Sequence, residues 1–127
     1  MRFIIDTHIL IWFLEGDLAL STKRRQLVID GNNNVLVSVA SLWEIAIKVS
    51  LGKLSLAESI PTIIKKVRTE AIEILPVLPN HIVQVSTLPF HHKDPFDRMI
   101  IAQAMVESIQ LMSADDAFSV YGVVLIQ

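Results

Sequence analysis

Apolar and polar positions divide the chain into short apolar runs separated by longer segments in which polar residues recur at helical spacing. The runs show no period-two alternation, which is typical of strands buried on both faces of a sheet. Five such strands are predicted, over residues 3–5, 35–37, 71–75, 109–112 and 123–126.

Helix-start signals occupy the intervals between these strands. Asp6 or Thr7 can cap a helix to about Glu15, and Ser21 opens a second helix that closes at Gly31. Further helices are predicted from about residue 40 to 50, from residue 59 or 60, from 79 and from 94–95, with a helical turn at 115–118. The regular alternation predicts one domain over residues 1–127, an α/β fold with a central parallel sheet in a three-layer α/β/α arrangement.

The composition raises the question of a membrane, because 52% of the residues are hydrophobic and the mean hydropathy is +0.52. The apolar run at residues 9–14 ends at Glu15, far short of the roughly 20 residues that a spanning helix needs. Asp6 and His8 interrupt the place where a signal peptide would have its apolar core. We therefore expect a cytoplasmic protein whose surplus apolar residues lie in a doubly covered sheet or beneath a partner.

The net charge is −2, the isoelectric point is about 6.0 and there is no cysteine. No broad basic face is therefore expected, and a polyanionic substrate would have to be held by a local site. The absence of cysteine excludes a disulfide framework and a thiolate metal site. The four histidines lack the His-x-x-x-His spacing of a helical zinc site, so zinc is not expected.

Polar residues follow three of the predicted strands, at the end of a parallel sheet where ligands bind. Asp6 follows the first strand, Ser38 and Ser41 follow the second, and Ser113 and Asp115 follow the fourth. The pattern predicts that these side chains collect at one edge of the sheet.

Two of the acidic candidates also have a purely structural explanation. Asp6 can act as a helix cap. Glu44 shares a narrow polar stripe with Ser41 and Lys48 on a helix that is otherwise apolar and is expected to be largely buried. The stripe is either solvated, with a Glu44–Lys48 pair, or it lines a pocket.

The sixth predicted helix begins with two more acids. Asp94 precedes a proline and is expected to be the cap. Asp97 lies on the same stripe as Ile101 and Ala104, so its carboxylate should point along the buried face and need a partner. Asp115 is preferred over its neighbour Asp116 because it is closer to the end of the preceding strand.

Taken together, Asp6, Glu44, Asp97 and Asp115 come from four separate elements and are expected to meet in one cleft. Carboxylates in one cleft repel each other and raise each other's pKa values, and a hard divalent cation relieves this repulsion. Ligation by oxygen alone favours Mg²⁺ or Mn²⁺. Such a site suits the hydrolysis of a phosphodiester bond.

Four stretches resemble the PIN-domain family, and in particular the VapC-type toxins of bacterial toxin–antitoxin pairs. They are IIDTHILIWFL at 4–14, VSVASLWEIAIKVSLGKL at 37–54, LPFHHKDPFDRMIIAQA at 88–104 and LMSADDAF at 111–118. The resemblance implies a Mg²⁺- or Mn²⁺-dependent ribonuclease whose catalytic and metal-binding quartet is Asp6, Glu44, Asp97 and Asp115. It also implies an RNA substrate, a small antitoxin partner and usually a homodimer. We add Thr7, Ser41, Asp94 and Ser113 as supporting residues; at Ser113 the family pattern more often has threonine.

Two other classes of magnesium-binding protein fit poorly. A phosphoacceptor receiver domain would need an acidic pair after the first strand and a lysine after the fifth, whereas Asp6 is followed by Thr7 and no lysine follows Lys93. A haloacid-dehalogenase-type phosphatase would need an aspartate where His8 stands. The remaining alternative is a PIN domain that binds RNA or a protein without cutting, and a cleavage assay with and without Mg²⁺ separates the two.

Overall fold

The computed structural model describes residues 1–126, which form one sheet and the helices packed on it. The strands are β1 (Arg2–Ile5), β2 (Asn34–Ser38), β3 (Glu73–Leu75) and β4 (Gln110–Met112). Their order across the sheet is β3-β2-β1-β4, and every neighbouring pair is parallel. The predicted central parallel sheet is confirmed.

Six α-helices connect and cover the strands. They are α1 (Thr7–Glu15), α2 (Thr22–Ile29), α3 (Val39–Ser50), α4 (Ile60–Thr69), α5 (Pro79–Ser86) and α6 (Pro95–Glu107), followed by a 3₁₀ helix at Asp116–Tyr121. The predicted caps are confirmed, since the side chains of Asp6, Ser21, Ser59 and Asp94 each accept a backbone N–H of the helix that follows. Helix α2 ends at Ile29, two residues before the predicted stop.

Successive strand residues feed two separate hydrophobic clusters, one on each face of the sheet. Phe3 and Ile5 pack with α1, α2, α3 and α4 on one face. Ile4, between them, packs with Leu36 and Leu111 against α6 and the 3₁₀ helix on the other. The strands are therefore covered on both sides, and the three-layer α/β/α arrangement is confirmed.

Two predicted strands differ from the structure. The strand predicted over 123–126 is reduced to a single bridge between Leu111 and Leu125. The strand predicted over 71–75 begins at Glu73, because Ala71 has a φ of 58° and turns the chain out of α4.

Helix α3 is less buried than its apolar sequence predicts. The side chains of Val39 and Trp43 are exposed, and the Trp43 ring packs edge-on against Phe96 of α6 at 5.3 Å between centroids. Helix burial follows the neighbours that are available, and α3 has a neighbour on only part of its circumference. Between residues 1 and 126, no helix combines the length and the apolar character needed to cross a membrane.

Candidate functional site

Asp6 is buried where β1 passes into α1. Its Oδ1 accepts the N–H of Ile9 at 2.9 Å, the capping bond of the helix. Its Oδ2 accepts the Ser113 hydroxyl at 2.7 Å and the N–H of Ala114 at 2.9 Å, just beyond the end of β4. The predicted capping role of Asp6 is confirmed for one oxygen, and the other oxygen links the ends of β1 and β4.

Glu44 is 3% exposed, although it lies on the polar stripe of α3. Its Oε1 accepts the Thr7 hydroxyl at 2.7 Å, and its Oε2 accepts the Lys48 ammonium at 2.8 Å. The Thr7 hydroxyl also lies 2.9 Å from the hydroxyl of the buried Ser41. The predicted Glu44–Lys48 pair is confirmed, but Ser41 and Glu44 are buried and only the Lys48 side chain is open to solvent.

The N-terminus of α6 brings the next two acids to the same end of the sheet. Asp94 is the cap, and its Oδ1 accepts the N–H groups of Phe96 at 2.8 Å and Asp97 at 3.1 Å. The Asp97 side chain is 22% exposed, and its Oδ2 lies 3.1 Å from Nε2 of His92. Asp97 is therefore half-buried, and its nearest partner comes from the loop before the helix.

Asp115 is the most exposed of the four acids, with 52% of its side chain open to solvent. Its Oδ1 accepts the N–H of Ala117 at 2.9 Å at the start of the 3₁₀ helix, and its Oδ2 lies 3.6 Å from Nε2 of His92. Its own N–H donates to the Ser113 hydroxyl at 2.9 Å. Ser113 thus links Asp115 to the buried Asp6 across the end of β4.

Asp97 shows that the predicted acids share one electrostatic environment. Burial, and to a smaller extent the nearby negative charges, together raise its pKa from 3.8 to about 7. Those charges, in order of effect, belong to Asp94, Glu44, Asp6 and Asp115. The structure therefore brings the predicted quartet together at the carboxyl end of the sheet.

The same region contains one positively charged side chain and a histidine ring. Lys48 has its pKa raised, first by its hydrogen bond with Glu44 and further by the charges of Asp94 and Asp97. His92 stands between Asp97 and Asp115. The acids are thus held by these side chains and by hydroxyl and backbone donors.

The donor set fits a magnesium-type ion held through few direct ligands. Within residues 1–126, no three His, Cys, Asp or Glu side chains are close enough to form a ready-made metal cage. Mg²⁺ is usually bound by one or two carboxylates and keeps several waters, so it does not require such a cage. Oxygen-only donors and mutual repulsion at Asp97 are the features that fit Mg²⁺ or Mn²⁺.

Sequence reasoning missed the roles of His92 and Arg98. The sequence pattern tests the histidines only as zinc ligands. The polar residues of the loop before α6 do not indicate which side chain faces the protein interior. Arg98 is buried, and its guanidinium donates to four backbone carbonyls of the segment that carries His92, at residues 85, 88, 89 and 92. An arginine beside an acid on a helix would ordinarily be expected in solvent.

Comparison with known proteins identifies the family. The PIN domain family model matches residues 3–124, nearly the whole chain. The chain therefore belongs to the PIN domain family. No curated protein sequence matches it significantly.

Several solved structures have the same fold at low sequence identity. The VapBC2 structure from Rickettsia felis, bound to a DNA fragment from its promoter, has a TM-score of 0.76 at 17% identity, covering 99% of this chain and 98% of that one. FitAcB from Neisseria gonorrhoeae has a TM-score of 0.67 at 16% identity, with 98% and 96% covered. DNA-bound VapBC from Salmonella typhimurium has a TM-score of 0.69 at 14% identity, with 99% and 97% covered.

Proposed function

We propose that this protein is a Mg²⁺-dependent endoribonuclease of the VapC toxin type, acting in the cytoplasm. The observation that carries the proposal is the convergence of Asp6, Glu44, Asp97 and Asp115 at the carboxyl end of the sheet in a PIN domain. Burial among other carboxylates raises the pKa of Asp97 to about 7, and perturbed pKa values of this kind cluster at functional sites.

The chemistry divides among residues of the chain. Asp97 and Asp115 stand at the open side of the cleft and would hold Mg²⁺ or Mn²⁺, with Glu44 and Asp6 behind them. When bound, the metal supplies charge neutralisation at the phosphate and activation of a water molecule. The Lys48 side chain is 40% exposed beside these carboxylates, and its ammonium would offer a positive contact to an RNA phosphate.

A small antitoxin is proposed as the partner that neutralises the enzyme. The solved proteins with this fold include VapBC from Salmonella typhimurium and a toxin–antitoxin complex from Klebsiella pneumoniae. We also propose a homodimer, because exposed apolar side chains remain after the sheet is covered on both faces.

The test is cleavage of RNA by the purified protein in EDTA and after addition of Mg²⁺ or Mn²⁺. A water nucleophile leaves a 5′-phosphate and a 3′-hydroxyl, so sequencing with end-selective ligation should find these ends only in the metal-containing reactions. A 2′,3′-cyclic phosphate would contradict the proposal, because it requires attack by the 2′-hydroxyl of the RNA itself. Cleavage that persists in EDTA would contradict the metal dependence.

The second candidate is a PIN domain that binds RNA or a protein without cutting. The engagement of both Glu44 oxygens by Thr7 and Lys48 favours it. This candidate predicts RNA retention on a filter in Mg²⁺ with no new RNA ends. The cleavage assay therefore decides between the two.

A further inference from the structure

A pocket of about 310 Å³ opens beside the acidic cleft, between α1, α3 and the turn that follows α3. Thr7 and Lys48 line it, and both donate hydrogen bonds to Glu44, at 2.7 Å and 2.8 Å. The pocket therefore directly adjoins the proposed site. Its volume is at the lower end of the roughly 300–1,000 Å³ range that is usual for small-ligand sites.

Another part of the pocket is aromatic and apolar. Trp12 is half-buried and lies one helical turn after the exposed His8 on α1, and Leu54 supplies apolar surface beside them. The rings of His8 and Trp12 are 6.1 Å apart between centroids and tilted by 53°, so they do not stack on each other. The indole of Trp12 can therefore take a flat ligand with apolar faces.

Two lysines give the pocket positive charge. The Lys48 side chain is 40% exposed, and Lys53 is exposed as well. Among residues 1–126, the Lys53 ammonium pairs with no carboxylate. The chain has a net charge of −2, and the neighbouring acids repel a polyanion. Local positive charge is therefore needed for a phosphate chain to approach the cleft.

We propose that this pocket is a nucleobase subsite for single-stranded RNA, in which one base stacks on Trp12 while Lys48 and Lys53 contact the flanking phosphates. An aromatic side chain for the base and positive charge for the backbone are the usual features of single-strand binding sites. A site for phosphate alone would not need the indole or the apolar surface of Leu54. The inference rests on the proposed function for RNA as the ligand, and it adds the place where a base beside the cleft is held.

The first test uses the fluorescence of Trp12 and changes nothing in the pocket. The chain has two tryptophans, so Trp43→Phe leaves Trp12 as the only one. In EDTA, where the proposed nuclease should be inactive, hexaadenylate should quench Trp12, and an abasic hexamer with the same phosphates should not. Absence of quenching by hexaadenylate would overturn the inference and leave the pocket to a protein side chain. Equal quenching by the two hexamers would overturn it as well.

The second test separates the base contact from the phosphate contacts by fluorescence anisotropy of labelled hexamers in EDTA. Trp12→Leu keeps an apolar side chain and removes the ring, so hexaadenylate affinity should fall about 5- to 150-fold while the affinity for the abasic hexamer stays the same. Trp12→Phe should recover much of this loss. Lys53→Gln should weaken the binding of both hexamers equally and make the dependence of log affinity on log salt concentration shallower by about 0.7.

The matched controls lie outside the pocket. Trp43→Leu on α3 and Lys23→Gln on α2 replace exposed residues and should bind hexaadenylate as the wild-type protein does. Wild-type hexaadenylate affinity in Trp12→Leu would overturn the inference, as would equal losses for the two hexamers. Trp12 packs partly on the core, so if Trp12→Leu does not fold, the quenching measurement still decides.

The two proposals fail in different ways. RNA cleavage in Mg²⁺ without base-dependent quenching of Trp12 would overturn the nucleobase subsite and leave the nuclease proposal intact. Base-dependent quenching in a protein that cuts no RNA in Mg²⁺ would support the subsite and overturn the proposed cleavage.

Discussion

Asp97 joins the electrostatics of the cleft to the stability of the domain. Its pKa of about 7 has burial as the first cause and four neighbouring carboxylates as the second. In the folded protein it therefore holds its proton more tightly than in the unfolded chain, where the value is near 3.8. Ionisation of Asp97 therefore lowers the free energy of unfolding as the pH rises from about 4 to about 7, and this contribution is complete above that range.

Replacing this carboxylate by an amide should reverse that loss. In EDTA at about pH 8, Asp97→Asn should be more stable than the wild-type protein by about 1–2 kcal/mol, a value reduced for a side chain that keeps contact with solvent. At about pH 4 the two proteins should unfold at the same urea concentration. Asp116→Asn, which removes an exposed acid nearby, should show no such pH-dependent gain.

Magnesium should then invert the order of stability. At about 100 times its Kd, a ligand stabilises the folded state by about 2.7 kcal/mol, which for a domain of this size raises Tm by about 10 °C. The wild-type protein should show this shift and Asp97→Asn should show little of it. Equal Tm shifts in the two proteins would contradict metal binding by Asp97 and would leave it only as an acid that stabilises the start of α6.

Candidate site residues could be predicted where an acidic residue interrupts or directly follows an apolar segment. Asp6 follows an apolar strand, and Glu44 interrupts an apolar helix, so both were identifiable. Their partners were partly identifiable too, since Lys48 lies four residues after Glu44. The position of His92 beside the acids could not be predicted from the sequence, because its contacts with Tyr121 and Asp115 join residues 23 or more positions apart.

Helix α6 shows how an element carries function at one end and core at the other. Its first turn holds the cap Asp94 and the half-buried Asp97, whereas residues 100–104 are buried. Between these two parts lies Arg98, which ties the preceding loop to the helix through four carbonyls. The helix therefore positions the loop that presents His92.

Loss of Arg98 should loosen this loop and destabilise the protein. Arg98→Met leaves buried carbonyls without donors, and an unpaired buried polar group costs about 1–3 kcal/mol. Because the loop can rehydrate in part, we expect a loss of about 3 kcal/mol in urea unfolding. Hydrogen exchange should be faster in residues 85–94. Arg68→Met, at an exposed arginine of α4, is the control and should be nearly neutral. An Arg98→Met variant as stable as the control would contradict this role.

Elements were predictable in type, and their ends were predictable where a cap marks them. Ser21, Ser59 and Asp94 fixed three helix starts. Strand lengths were less certain, because apolar composition does not reveal how far a neighbouring strand extends. The segment around Leu125, predicted as a strand, pairs with Leu111 through a single bridge.

The domain buries both faces of its sheet, and apolar side chains on several helices remain exposed. The sequence analysis offered two explanations for the high apolar content. The sheet covered on both faces is observed, and a surface covered by a partner is proposed. Parallel topology was readable from the sequence, because strands and helices alternate throughout. Exposure of residues such as Trp43 was not readable, since it depends on which helices become neighbours.

The proposed homodimer is testable on the purified chain. Multi-angle light scattering at micromolar concentration should give about twice the chain mass of 14.2 kDa. An apolar association weakens on cooling, so the dimer fraction should fall at low temperature in a concentration series. A monomer throughout the series would contradict the homodimer and leave the nuclease proposal to its own test.

If the carboxylates at the end of the sheet carry the proposed metal-dependent RNA cleavage, replacing the buried Glu44 should slow it. Single-turnover cleavage in Mg²⁺ should be compared for the wild-type protein, Glu44→Gln and Glu58→Gln. Glu58 is a glutamate on the surface, paired with Lys66 at 3.1 Å, and its replacement should leave the rate unchanged. Glu44→Gln should be slower by at least about 100-fold while still folded. A Glu44→Gln rate equal to that of the wild-type protein would contradict the proposed dependence of RNA cleavage on these carboxylates.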